Sequence, residues 1–221
     1  MKERLKLWAQ KPLPIILLTS VLVFYSNWPV VYGFKHSLFA KGDPLDYVSE
    51  ALGALVLMFF IPVLVIKYVF NKPLSDFGLR KPREMREAAM LSVAAVVVSL
   101  PVLILFSKHT AIQDYYAVKQ GFGLFFLLTV GLGIFYYLSE EFIFRGFLFF
   151  GLWDRFQYHT FWISNLIFVF FHIGKPVEEV LWAFFFGLIF SFITYRTRSV
   201  WPAVLIHLTV AFILNVLVNF A

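Results

Sequence analysis

Residues 138–146 read Leu138-Ser139-Glu140-Glu141-Phe142-Ile143-Phe144-Arg145-Gly146, and they sit inside an apolar run from Gly121 to Trp153. Two acids and a guanidinium in such a run decide what kind of chain this is. A charge at the centre of a bilayer costs about 2.5–3.5 kcal/mol even on insertion scales, so ionisable residues there face protein or a wet cavity and find partners. On a helix, Glu141 and Arg145 form an i,i+4 pair with the acid first, the favourable order. Glu140 projects about 100° away, toward a different partner. Two readings follow. Either the stretch is a buried salt bridge that fixes helix packing, or Arg145 neutralises Glu141 and leaves Glu140 to act.

The composition around the stretch names the solvent. The chain has 221 residues, 61% of them hydrophobic and 14% charged, with 29 Phe and a mean hydropathy of +0.81. A soluble domain of this size does not need so much apolar surface, and several runs reach the ~20 residues that cross a bilayer. The expected fold is all-α and polytopic: a bundle of about seven to eight transmembrane helices, forming one integral-membrane domain over residues 1–221. There are no cysteines, which excludes disulfides, thiol nucleophiles and thiolate metal sites. The net charge of +6 reads through the positive-inside rule and gives no reason to expect nucleic acid.

The apolar runs place spans at 13–34, 50–70, 87–106, 121–153, 160–172, 179–195 and 200–220. The first follows Lys2, Arg4, Lys6 and Lys11; it is too long for a signal-peptide core and reads as an uncleaved span. Asn27 and Pro29 predict a kink in it. Polar links fall at 35–49, with the turn Gly42-Asp43-Pro44, at 71–86, with a short ordered element from Leu74 to Leu79, and at 107–120. With the N-terminus inside, the cytoplasmic segments hold thirteen Lys and Arg residues besides Arg145, and the outer ones hold five. That asymmetry predicts a cytoplasmic N-terminus.

Depth then brings distant residues together. Counting from Trp153, Thr160 and Ser199 at 1.5 Å per residue, Glu140 lies roughly 20 Å in, His172 roughly 18 Å and His207 roughly 12 Å. The coincidence requires a long fourth helix and a short fifth one that stops inside the membrane at Gly174-Lys175-Pro176. Irregular backbone at that depth is tolerated only beside protein or a wet cavity. A carboxylate with two imidazoles suits two chemistries. The carboxylate can be a general base on water, one imidazole orienting it and the other stabilising an oxyanion. Alternatively, the imidazoles and a carboxylate can ligate Zn2+ with an open position for water. No Ser lies in a G-x-S-x-G turn, so a Ser-His-Asp hydrolase fits poorly. His36, His109 and His159 lie in links or at span ends and are assigned no role.

At these residues the sequence resembles the CAAX protease and bacteriocin-processing family (CPBP, or Abi), which includes the type II CAAX prenyl endopeptidases. Glu140-Glu141-Phe142-Ile143-Phe144-Arg145 resembles its E-E-x-x-x-R motif, and Phe168-Val169-Phe170-Phe171-His172 its F-x-x-x-H motif. His207 supplies the third motif, after Arg196-Thr197-Arg198-Ser199-Val200-Trp201-Pro202, which is similar to the family's R-T-x-S-x-W-P segment. The resemblance covers about residues 120–215. It implies a helical intramembrane endopeptidase in which Glu140 activates the hydrolytic water, His172 orients the glutamate or the water, and His207 holds the oxyanion. Glu141 and Arg145 would support the first motif. Asn165 and Phe168 are supporting candidates on the fifth helix. One departure stands out: Ala211 lies where the family usually has Asn or Asp, four residues after the third-motif His.

The expected function is therefore glutamate-type proteolysis without a metal, with Zn2+ as the alternative cofactor. The expected partners are the lipid bilayer and a membrane-anchored or amphipathic peptide substrate, reached through a catalytic cavity open toward the cytoplasmic side. The expected location is a bacterial plasma membrane. A non-catalytic bacteriocin-immunity or membrane-binding protein of the same fold is the alternative, favoured by Ala211. A proton-relay transporter is a third reading, disfavoured because no inverted repeat is present.

Overall fold

A computed structural model describes residues 11–31, 44–117 and 121–221, with the side chains of residues 27–31 outside the description. Described residues form eight helices: α1 (Pro12–Val31), α2 (Pro44–Phe70), α3 (Met85–Phe106), α4 (Thr110–Tyr116), α5 (Phe122–Phe156), α6 (His159–Phe171), α7 (Val177–Thr197) and α8 (Trp201–Phe220). Five of them, α2, α3, α5, α7 and α8, are long and apolar enough to cross a membrane, and α1 and α6 are shorter apolar helices. The chain is an all-α, multi-pass membrane protein. Lys35, Lys41 and Lys119 of the charge count, Lys2, Arg4 and Lys6, and the turn at Gly42-Asp43 lie outside the described residues.

Helix starts follow local chemistry. Pro12 and Pro44 each open a helix, where a fixed φ helps and the missing N–H costs nothing. Helix α2 thus begins six residues before the apolar run does, and residues 44–49 are helical where a link is expected. The 107–120 link likewise contains α4. Inside α2, Pro62 removes a donor and crowds the preceding turn. The helix accommodates it by widening to π geometry over Leu55–Phe60 and again over Val65–Phe70. Helix α1 continues through Asn27 and Pro29 to Val31.

Helix α5 is the axis of the bundle. Its residues from Ser139 to Phe149 are buried without a break, as expected of a helix enclosed on every side. Over Phe142–Phe150 it too is π-helical, a form found mostly at functional sites. Around it the buried side chains form two clusters. One joins α1, α2, α5 and α6 through Met58, Phe142, Phe147 and Phe168; the other joins α3, α4, α7 and α8 through Leu103, Ile112, Phe190 and Ile206. Glu140, Glu141 and Arg145 lie at the seam. Lipid is as apolar as Leu, so the seam is held by close packing and interhelical hydrogen bonds, worth about 0.6 kcal/mol each on average. Ser164 Oγ donates to Phe144 O at 2.8 Å and Asn165 Nδ2 to Phe184 O at 2.9 Å, tying α6 to both neighbours.

Helix α6 has 13 residues, about 20 Å of rise. It ends inside the bundle, and Gly174 turns the chain with φ +101°. At the other end of α7, Arg198 takes a left-handed conformation, φ +54°, and the chain reverses into α8 within a few residues. These two stops put His172 and His207 beside α5.

Candidate active site

Glu140, Glu141 and Arg145 of α5 are buried: Glu140 is 1% exposed, and Glu141 and Arg145 are not exposed at all. Arg145 Nη1 lies 3.4 Å from Glu141 Oε2, the i,i+4 pair. Arg145 is further held by a hydrogen bond from Nη2 to Gly187 O at 3.2 Å and by the face of Phe168, 3.9 Å below its guanidinium carbon. A cation over a desolvated aromatic face is attracted by ~2 kcal/mol, which offsets part of the cost of keeping Arg145 from water.

The two glutamates take different histidines. His207 Nδ1 lies 2.7 Å from Glu141 Oε1, so Glu141 bridges Arg145 and His207. His172 faces Glu140 instead, its Nε2 4.0 Å from Glu140 Oε1. That separation is too long for a direct hydrogen bond and suits one bridging water. His172 Nδ1 is 2.9 Å from Phe168 O. A carbonyl oxygen only accepts, so Nδ1 carries the proton and Nε2 presents a lone pair toward Glu140. Glu140 Oε1 accepts no hydrogen bond from the protein. Sequence depth alone brings Glu140, His172 and His207 to one level; helix rotation decides that the second histidine pairs with Glu141.

Gly187 is a residue that the motif reading misses. A Cβ there would meet Asn165 Oδ1, the Phe168 ring at 2.9 Å and Arg145 Nη2 at 3.1 Å. Only glycine lets α7 approach Arg145 this closely. A signal exists, because Ala183, Gly187 and Ser191 repeat small residues every four positions, a spacing of close helix–helix contact in membranes. Asn165 stands behind Arg145, spanning to Phe184 and not lining the cavity. Tyr137 is a second missed residue: its ring packs at a tilt against His207 with centroids 4.4 Å apart.

A cavity of about 80 Å³ touches Tyr137, Phe168, His172, His207 and Ala211, and reaches Tyr116, Lys175 and Glu179. Those last three form a polar cluster: Lys175 Nζ is 2.6 Å from Glu179 Oε1, and Tyr116 Oη donates to Glu179 Oε2 at 2.5 Å. The cluster identifies the end of the bundle that the cavity reaches. Tyr116, Lys175 and Glu179 belong to the end of the bundle opposite Arg80, Arg83 and Arg198. Basic loops in the cytoplasm and a cavity open to the cytoplasm cannot both hold, because α3 and α7 carry the two features at opposite ends.

Asn215 does not replace the amide expected at Ala211. Its Nδ2 donates to Ala211 O at 2.9 Å within its own helix. For the zinc alternative, no three His, Asp or Glu side chains among the described residues converge as a metal site requires. His207 Nδ1 is occupied by Glu141 and His172 Nδ1 by a backbone carbonyl, which leaves Nε2 as the free nitrogen of each imidazole.

No curated protein and no solved structure matches the chain significantly. A family description does match, over the segment that builds this site from α5 through most of α8. Residues 122–213 match the Rce1-like family, described as type II CAAX prenyl endopeptidase Rce1-like.

Proposed function

We propose that the chain is an intramembrane endopeptidase in which Glu140 activates water without a metal. The observation that carries this reading is the approach of His172 Nε2 to Glu140 Oε1 at 4.0 Å, with Nε2 unprotonated and Glu140 Oε1 free of protein donors. A water between them is held by both acceptors, its lone pair directed at a carbonyl carbon in the cavity. As its oxygen attacks, one proton passes to Glu140 and the carbonyl oxygen becomes an oxyanion. His207, held through Nδ1 by the Glu141 carboxylate, offers Nε2–H to that oxyanion in its protonated form. Glu140 then returns the proton to the departing amide nitrogen, and the C–N bond breaks to give a carboxylic acid and an amine.

The substrate is a membrane-anchored or amphipathic peptide. A ligand pocket usually measures ~300–1,000 Å³, far more than the 80 Å³ of this cavity. A peptide therefore enters after the Tyr116–Glu179–Lys175 cluster parts. The charge bias places the basic end of the bundle in the cytoplasm, and the plasma membrane of a bacterium is the setting that this compact form suits.

Digestion of a peptide library by proteoliposomes in heavy-oxygen water tests the reading. Paired products are expected, with the heavy oxygen in the new C-terminal carboxylate and with undiminished yield after dialysis against chelators. Intact peptides bound to the protein would instead indicate the non-catalytic binder.

A further inference from the structure

At the end of the bundle opposite the cavity that touches His172 and His207 lies a hollow of about 240 Å³ that proteolysis does not use. Lys72, Arg80, Arg83 and Arg198 line it, with the carboxylates of Asp76 and Asp154 and the ring of Trp153. Four cations thus face two carboxylates. Lys72, Arg80 and Arg83 are exposed, and none is ion-paired among the described residues.

The hollow is built, not frayed. The segment after α2 turns at Asn71 and Gly78, both with positive φ, and is then bonded to the turn between α7 and α8. Val200 N donates to Gly78 O at 3.0 Å and Arg83 N to Thr197 O at 3.0 Å, while Ser199 Oγ donates to Arg80 O at 2.6 Å. All three bonds use backbone of the basic segment, so they aim the Arg80 and Arg83 side chains without consuming them. Arg198 is placed differently: its guanidinium carbon lies 5.1 Å from the Tyr195 ring centroid and 5.8 Å from that of Trp153. Aromatic contact occupies the face of a guanidinium and leaves its edge N–H groups for an anion.

Location narrows the ligand. Lys72 follows Phe70, where α2 ends, and Trp153 lies in the last turn of α5; Tyr158 beside them is 67% exposed. Tyr and Trp in such places sit at headgroup level. Charge that only sets topology is diffuse, one Lys or Arg being as good as another. A hollow with cations from two segments fixed by hydrogen bonds is a different object. We propose that it binds a phosphate-bearing anion at the membrane surface, either the headgroup of an anionic phospholipid or free phosphate.

The test uses the full chain in nanodiscs of phosphatidylcholine, with phosphatidylglycerol added in one arm and inorganic phosphate in the other, and native mass spectrometry of retained ligand. Each lost cation is expected to weaken retention about fivefold, so Arg80→Gln with Arg83→Gln should lose about 25-fold. Lys81→Gln with Arg155→Gln removes the same charge from exposed residues outside the hollow and should retain ligand like the wild type. Arg80→Lys with Arg83→Lys should retain most of it, which separates loss of charge from loss of fold. Retention in the lipid arm alone assigns a headgroup, and retention in the phosphate arm assigns free phosphate. Retention of neither, or equal losses in both glutamine pairs, would overturn the proposal.

Discussion

His207 Nδ1 lies 2.7 Å from Glu141 Oε1, across 66 residues of chain, and the same carboxylate faces Arg145 at 3.4 Å. One fully buried glutamate therefore holds a cation of its own helix and an imidazole of α8, and the neighbouring Glu140 is left for His172. Removing Arg145 leaves Glu141 buried without its cation. Breaking a buried pair from one side costs about 3–5 kcal/mol, so Arg145→Met should unfold well below wild type in a thermal melt in detergent. Adding Glu141→Gln should recover part of the loss, since neither member of the broken pair then carries a charge. A double variant less stable than Arg145→Met alone would show that the Glu141–His207 contact outweighs the ion pair.

Gly187→Ala is expected to destabilise by about 1–3 kcal/mol, the usual cost of overpacking. Its Cβ meets Asn165 Oδ1, the Phe168 ring and the Arg145 guanidinium together, and all three are buried. Cleavage should fall with it, because Phe168 also carries His172 through its carbonyl. Wild-type melting and cleavage in Gly187→Ala would show that α7 can shift without disturbing Arg145.

The cavity and the basic hollow belong to opposite ends of the bundle. The natural chain has no cysteine, so single-cysteine variants report cleanly. Arg83→Cys and Ala111→Cys, both at exposed positions, should react with an impermeant maleimide from opposite faces of the membrane. The charge bias predicts that Ala111→Cys labels in intact cells and Arg83→Cys only after permeabilisation. The reverse pattern would restore a cytoplasmic cavity and discard the charge-based orientation.

Ala211 touches the cavity beside His207. An amide there can supply a second oxyanion donor beside His207, and one such donor is worth ~10²–10³ in rate. Ala211→Asn is therefore expected to cleave at the wild-type rate or up to ~10²-fold faster. Complete loss of cleavage, with the melting temperature kept, would mean that the added side chain blocks the substrate path.

Much of this arrangement is legible in the sequence, for reasons that also set the limits. Apolar length marks the spans because bilayer thickness is a hard constraint, and the stop at Gly174-Lys175-Pro176 marks the short α6 because its rise is simple arithmetic. Depth brings Glu140, His172 and His207 to one level. It does not say which glutamate meets which histidine, since that depends on helix rotation, and rotation is set by contacts such as Gly187 against Asn165. The π turns of α5 leave no mark in composition. The cavity's direction is hidden for another reason: Tyr116 comes from α4, inside a polar link, and meets Glu179 only through packing.

Glu140→Gln in proteoliposomes tests the central claim most directly. Glutamine keeps the size of the side chain and cannot take a proton from water. A base of this kind contributes ~10²–10⁴ in rate, so the account predicts a cleavage rate lower by at least ~10² with an unchanged melting temperature. Cleavage at the wild-type rate by folded Glu140→Gln would contradict it.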